Sequence, residues 1–166
     1  NGYAESNPTN DLEGIDAAHK LSLLSTLCFG SLINFSNISY KGISNIDIED
    51  IKHAKKLGYK IKLISESKII DNKIMSVVEP KLIRKETRLA NVNGVLNAIK
   101  VETDHLNSLI LEGDGAGGKA TTNSIISDLY EIASNTKHLS LGYSISQLKN
   151  FEVFDLSNQL SSFYLR

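Results

Sequence analysis

The chain has 166 residues, of which 41% are hydrophobic and 22% charged, and its formal net charge is -1. The length predicts one main domain, and the near-neutral charge gives no reason to expect nucleic acid or an anionic membrane as a partner. The single cysteine, Cys28, excludes an internal disulfide and fits a reducing compartment, so we expect a cytoplasmic protein. No apolar run approaches the ~18 residues that span a bilayer, and no signal peptide is predicted.

The first part of the chain is predicted as a polar loop, residues 1–14, followed by a helix over Ile15–Phe29 that ends at Gly30. At ~100° per residue, one arc of this helix is apolar, and we expect that arc to face the core. Its members are Leu21, Leu23, Leu24, Leu27 and Cys28. Asp16 and Lys20 fall inside the same arc, which is an unusual place for charges.

The Asp16 and Lys20 side chains are spaced i and i+4, so they lie on one side of the helix. One interpretation is a surface ion pair worth a few tenths of a kcal/mol. The other is a pair lining a cleft, where a partly desolvated lysine exchanges a proton with a substrate hydroxyl or carbonyl and the carboxylate orients it.

The loop before the helix carries Glu5, Asp11 and Glu13. Such acidic loops are often simply solvated. Near a cationic lysine they could instead receive the ammonium group of a polar amino-acid substrate, and both interpretations remain open at this point.

The middle of the chain is predicted to alternate between short strands and one helix. Ile38–Ile46 is predicted as a strand interrupted by a glycine, and Asp47 caps a helix that ends at Gly58, with Ile48, Ile51 and Ala54 directed inward. The further predicted strands are Tyr59–Ile64, Lys73–Val78, Val95–Glu102 and Leu106–Glu112, with a polar connection over Pro80–Arg88. This order predicts an α+β fold: a mostly antiparallel sheet covered on one face by helices, the other face free for a second sheet or a subunit.

A glycine-rich turn, GDGAGG at residues 113–118, precedes a predicted helix over Thr121–Ala133. Glycines before a helix let backbone amides approach an anion or a flat cofactor ring, although this turn has neither the Walker nor the GxGxxG spacing. The apolar stripe of this helix is Ile125, Ile126, Leu129 and Ile132. From Asn135 onward the chain is predicted to be a polar linker. The spacing of His19, His53, His105 and His138 does not suggest a metal site.

The sequence GYAESNPTNDLEGIDAAHKL, residues 2–21, resembles the substrate loop and catalytic helix of homoserine dehydrogenase. Later blocks agree in order and spacing: KGI at 41–43, AKKLGY at 54–59, VNGVLNA at 92–98, GDGAGG at 113–118 and Asp128-Leu129. The resemblance covers about residues 2–133. It departs from the family pattern at Asn7, where an acidic residue is common, and at Ala120, where proline is common.

The resemblance implies a fold, an activity and roles for individual residues. The family reduces L-aspartate 4-semialdehyde to L-homoserine, reversibly, with NADPH or NADH. Carried over by position, Lys20 would donate the proton to the aldehyde oxygen and Asp16 would hold that lysine and help bind the substrate. Glu5 and Asp11 would face the substrate ammonium group, and Gly117 would lie against the nicotinamide end of the cofactor.

The resemblance also implies a domain organisation. Residues 1–118 would form the substrate-binding and dimerisation domain, 119–137 a helix that packs on a nucleotide-binding domain, and 138–166 a linker towards a small ACT-like regulatory domain. The nucleotide-binding domain, with the family's phosphate turn and a further active-site lysine, would lie upstream of Asn1. We therefore expect the apolar stripe of the helix over Thr121–Ala133 to be exposed, repacked or covered by an oligomer contact. We also expect the chain to form a homodimer.

Two functions from different classes follow from these observations. The first is the catalytic region of a homoserine dehydrogenase, acting in the biosynthesis of threonine and methionine. The second is a non-catalytic module that binds an amino acid or supports oligomerisation and has kept only the fold. Retention of all four charged positions, Glu5, Asp11, Asp16 and Lys20, favours the first.

Overall fold

The computed structural model describes residues 7–134, 143–158 and 162. Its helices are α1 (Thr9–Leu12), α2 (Ile15–Phe29), α3 (Ile48–Lys56) and α4 (Gly118–Ala133). Its strands are β1 (Ser39–Tyr40), β2 (Tyr59–Ile70), β3 (Lys73–Arg84), β4 (Leu96–Val101), β5 (Leu109–Asp114) and β6 (Glu152–Val153). The predicted α+β class is confirmed.

The chain divides into two compact units. The α2 unit consists of residues 7–47, 63–81 and 143–158 among those described. The α4 unit consists of residues 48–62 and 82–134.

The α2 unit is built around β3. All residues from Ile74 to Val78 are buried, as expected for a strand covered on both faces. Strand β3 lies between β1 and β2. Strand β1 pairs with β3 in parallel, with Ser39 opposite Val77, and β6 pairs in parallel with the start of β3. The two-residue connection Asp71-Asn72 makes β2 and β3 an antiparallel hairpin. The expected free sheet face is therefore absent at β3, where Met75 is also fully buried.

Helix α2 packs on this sheet with a different face from the one predicted. It begins after Gly14 (φ 78°) and ends at Gly30 (φ 59°), as the sequence indicated. Its buried residues, however, are Ala18, Leu21, Ser25 and Thr26. Leu23 and Leu27, predicted to be buried, are 63% and 45% exposed, and Leu24 and Cys28 are exposed as well.

The reason for this difference is local hydrogen bonding. The Thr26 hydroxyl accepts a hydrogen bond from the Ile33 amide at 3.0 Å, and the Ser22 hydroxyl donates to the Ile33 carbonyl at 2.7 Å. Small hydroxyl side chains thereby dock the chain that follows α2 against the helix. The core that results joins Ala18 and Leu21 to four further residues: Ile33, Ile38, Ile74 and Val78.

The strands differ in length from the prediction. The strand predicted over Ile38–Ile46 is only β1, and a turn follows it in which the Ile46 amide bonds the Ile43 carbonyl at 2.9 Å. Strands β2 and β3 extend well beyond the predicted segments, so Pro80–Arg84 is strand and not connection.

Glu66, Lys68 and Lys81 form an ion-pair network on the β2–β3 hairpin, and a substitution in it can test how the two strands pair. Burial alone raises the pKa of Glu66, but hydrogen bonds from Lys81 (2.5 Å) and Lys68 (3.2 Å), with their charges, outweigh it and hold that pKa below its ordinary value of 4.5. The ionised carboxylate therefore stabilises the fold above the unfolded-state pKa, and this contribution is lost as the pH falls through the folded-state pKa.

We expect Glu66→Gln to lower the free energy of unfolding at neutral pH and to have progressively less effect as the pH falls below about 4.5. Urea unfolding of both proteins across this pH range measures the difference. A difference that stays constant with pH would contradict the assigned ion pairs.

In the α4 unit, Ala54 of α3 and Ala90 are buried. Ile48 and Ile51, predicted to face inward, are exposed, because the nine-residue helix turns only its alanine towards the unit. Lys62 donates to the Val92 carbonyl at 2.5 Å, which ties β2 to the turn before β4. Strands β4 and β5 pair antiparallel from Leu96 opposite Asp114 to Val101 opposite Leu109.

Helix α4 exposes its apolar stripe. Ile125, Ile126 and Leu129 are 54%, 59% and 59% exposed, and Ile132 is 76% exposed. Of the three outcomes expected for this stripe, exposure is the one found among the described residues.

The segment predicted as a polar linker is ordered where the structure describes it. The Lys149 amide donates to the Gly30 carbonyl at 2.7 Å, β6 pairs with β3, and Phe151 packs against the α2-unit core. Residues 135–142, 159–161 and 163–166 lie outside the described residues.

Candidate functional site

The first element of the candidate site is the Asp16–Lys20 pair in the first turns of α2. The Lys20 Nζ lies 2.6 Å from an Asp16 carboxylate oxygen, as the i,i+4 spacing predicts. The side chains are 63% and 44% exposed, respectively. Of the two interpretations of the pair, this exposure favours a surface ion pair in the chain by itself. Leu21 of the predicted arc is buried, but Leu23 and Leu27 are exposed. By helical spacing, the exposed Leu23 and Leu27 lie on the same side of α2 as Lys20.

The second element is the junction between α1 and α2, at Leu12–Gly14. Gly14 has φ 78°, and a Cβ there would lie 3.3 Å from a methyl group of Val78, so glycine fits both the conformation and the space. Gly42 packs so closely on Leu12 and Glu13 that a Cβ would overlap their backbone atoms. The Ile43 amide donates to the Leu12 carbonyl at 2.8 Å.

The predicted acidic residues do not behave alike. Asp11 is exposed on α1. Glu13 instead accepts a hydrogen bond from the Ser44 hydroxyl, so its carboxylate serves the fold in this structure. Glu5 lies outside the described residues.

Aromatic rings border the pair on the neighbouring side of α2. His19, next to Lys20, stacks on Phe35 with a centroid distance of 4.2 Å and an interplanar angle of 12°. Phe35 in turn contacts Tyr40 at 5.4 Å. This row holds the connection after α2 close to the helix surface that carries the candidate site.

The glycine-rich turn lies in the α4 unit. Gly117 has φ 116° and ψ 150°, a conformation that side chains disfavour, and its carbonyl accepts the Thr121 amide at 3.1 Å. Helix α4 begins at Gly118, three residues earlier than predicted. Gly118, Lys119, Thr122, Asn123 and Ile126 line an open depression beside this helix N-terminus. A turn without side chains at Gly117 suits the close approach of a flat ring, which is the fit that a nicotinamide requires.

No group of three His, Cys, Asp or Glu residues suited to a metal ion occurs in residues 7–134 and 143–158. None of the helices in those ranges is long and apolar enough to cross a membrane.

The sequence alone assigns no role to Gly42 or Ser44 at this junction. Gly42 is seen there only as the glycine that interrupts the predicted strand over Ile38–Ile46 and as part of the KGI block at 41–43. Ser44 is 31 positions from Glu13 in sequence, so no local pattern could have joined them.

The chain is similar in sequence to proteins of one known family. A family model described as homoserine dehydrogenase matches residues 1–130. The homoserine dehydrogenase of Neisseria gonorrhoeae is 39% identical over 99% of this chain, and that of Helicobacter pylori is 42% identical over 88% of it. The chain spans only 39% and 35% of these two relatives.

Solved structures show the same similarity. A homoserine dehydrogenase from Thiobacillus denitrificans superposes with a TM-score of 0.83 at 35% identity, over 92% of this chain and 37% of that one. A homoserine dehydrogenase from S. aureus gives a TM-score of 0.72 at 40% identity, over 83% of this chain and 36% of that one.

Proposed function

The chain belongs to the homoserine dehydrogenase family, and we propose that it forms the substrate-binding and dimerisation part of an enzyme that interconverts L-aspartate 4-semialdehyde and L-homoserine in threonine and methionine biosynthesis. The observation that carries the proposal is the Asp16–Lys20 pair, held at 2.6 Å on a helix that also exposes apolar side chains. A charged pair beside exposed leucines is suited to a cleft wall that a second body covers.

In the proposed reaction, Lys20 moves a proton at the substrate oxygen. In the direction of reduction its ammonium group donates a proton to the aldehyde oxygen, and in the direction of oxidation the neutral amine takes the proton of the homoserine hydroxyl. Asp16 holds the lysine in place for both directions. The bound NADP or NAD supplies the hydride chemistry.

Asp11 and Glu5 are proposed to hold the substrate ammonium group, and Gly117 to face the nicotinamide. The exposure of Asp11 and the positive φ of Gly117 support these roles. The remainder of the cofactor site would come from a nucleotide-binding domain outside these 166 residues, and residues 119–137 would pack on that domain through the exposed stripe of α4. The segment from 138 is proposed to lead to a regulatory domain, and the protein to act in the cytoplasm.

A homodimer is part of the proposal. On one face of the β4–β5 hairpin, Ile99 lies opposite Leu111 and Val101 opposite Leu109. Ile99, Leu109 and Leu111 are all exposed, which provides apolar area for a subunit contact. We expect the full-length protein to sediment as a dimer at micromolar concentration and Leu111→Lys to convert it to monomers; a wild-type monomer would contradict this contact.

The experiment that tests the function is genetic. The full-length protein encoded by the reading frame that contains this chain should restore growth to a bacterium that lacks homoserine dehydrogenase and requires threonine and methionine. If the chain is a non-catalytic module, growth is not restored and no dinucleotide-binding βαβ unit is encoded upstream.

A further inference from the structure

We propose that Ser44 is a positioning residue for the substrate-binding carboxylate of Asp11, acting through Glu13 and the α1–α2 junction. The inference rests on the proposed function, and it assigns a role to a side chain that the catalytic pair does not include.

The α1–α2 junction lies between the residue proposed to bind the substrate and the proposed catalytic pair. Asp11 is on α1, before Leu12–Gly14, and Asp16 and Lys20 are on α2, after it. The segment 41–44 holds this junction at three successive residues. Gly42 packs against its backbone, the Ile43 amide donates to the Leu12 carbonyl at 2.8 Å, and the Ser44 hydroxyl donates to the Glu13 carboxylate.

The segment itself is attached to the core of the unit. The Lys41 amide donates to the Val78 carbonyl at 2.8 Å, and Val78 is fully buried in β3. Ser44 therefore connects Glu13 to a segment that is hydrogen-bonded to the buried strand β3.

The two helices depend on this connection to different degrees. Helix α1 has four residues, none of them buried, so it has little stability of its own. Helix α2 has 15 residues and is anchored in the core through Ala18 and Leu21. Loss of the Ser44 contact should thus displace Asp11 while Asp16 and Lys20 keep their places.

Because only Asp11 should be displaced, we expect the KM to change and kcat to stay nearly the same. In the full-length protein, Ser44→Ala should raise the KM for homoserine about tenfold, the effect of losing a hydrogen bond to a charged group, with kcat within about twofold of wild type. Glu13→Ala should have the same effect, and the double variant no more than either alone, because both changes remove one interaction. Ser44→Thr, which keeps the hydroxyl, should restore the KM.

Ser65→Ala is the matched control, since Ser65 is an exposed serine of β2 in the same unit. It should leave both constants unchanged. An unchanged KM in Ser44→Ala, or an equal loss in kcat, would overturn the inference.

Amide hydrogen exchange separates this inference from the proposed function. In Ser44→Ala, residues 9–12 should exchange faster while residues 15–29 keep their protection. Should the protein not oxidise homoserine at all, the proposed function fails and the exchange result decides the positioning: unchanged exchange at residues 9–12 overturns it.

Discussion

Lys20→Ala is expected to lower the turnover of homoserine by about 10²- to 10⁴-fold in the full-length protein, which is the usual contribution of a general acid or base. Homoserine should still bind, because its ammonium group is proposed to be held by Asp11 and Glu5 and not by Lys20. The effect should therefore fall on kcat and not on KM. Steady-state kinetics in the direction of homoserine oxidation measures both constants.

Lys52→Ala is the matched control for this change. Lys52 pairs with Glu49 at 2.7 Å on another helix, and its side chain is 58% exposed, compared with 63% for Lys20. Both substitutions remove one exposed ion pair of α-helical spacing, so both should cost little stability. Equal turnover in the two variants would remove Lys20 as the proton donor.

The 166-residue chain purified by itself is expected to show no homoserine-dependent reduction of NADP or NAD. The Asp16–Lys20 pair is exposed in this chain, and its relatives are much longer, so the surface that would cover the pair and hold the cofactor is proposed to lie in the rest of the protein. The full-length protein, assayed under the same conditions, should be active.

Circular dichroism and thermal unfolding of the isolated chain provide the control, because a folded but inactive chain is the expected result. Activity in the isolated chain would show that these 166 residues hold a complete cofactor site. It would contradict the proposal that a separate nucleotide-binding domain supplies part of that site.

The ends of α2 were predictable from sequence, but its buried face was not. Gly14 and Gly30 fix the ends through their left-handed conformation, which is a local property. The buried face depends on the chain that packs on it, and there Thr26 contributes a hydrogen bond that a leucine could not make. A pattern of hydrophobicity alone selects Leu21, which is buried, together with Leu23 and Leu27, which are exposed.

In the candidate site, too, the contact between residues close in sequence was predictable and the long-range contact was not. The Asp16–Lys20 contact follows from helical spacing, and the structure has it as predicted. The Glu13–Ser44 contact joins residues far apart in sequence, so it required the fold. The sequence leaves open whether Glu13 is solvated or contacts a substrate, and its hydrogen bond to Ser44 gives it a structural role.

The most direct test of the proposed function is homoserine-dependent reduction of NADP and NAD by the full-length wild-type protein, followed through the absorbance of the reduced nicotinamide. We expect steady turnover with at least one of the two cofactors, and loss of that turnover in Lys20→Ala. A folded full-length protein that binds homoserine but reduces neither cofactor would contradict it and would leave an amino-acid-binding module as the function of this chain.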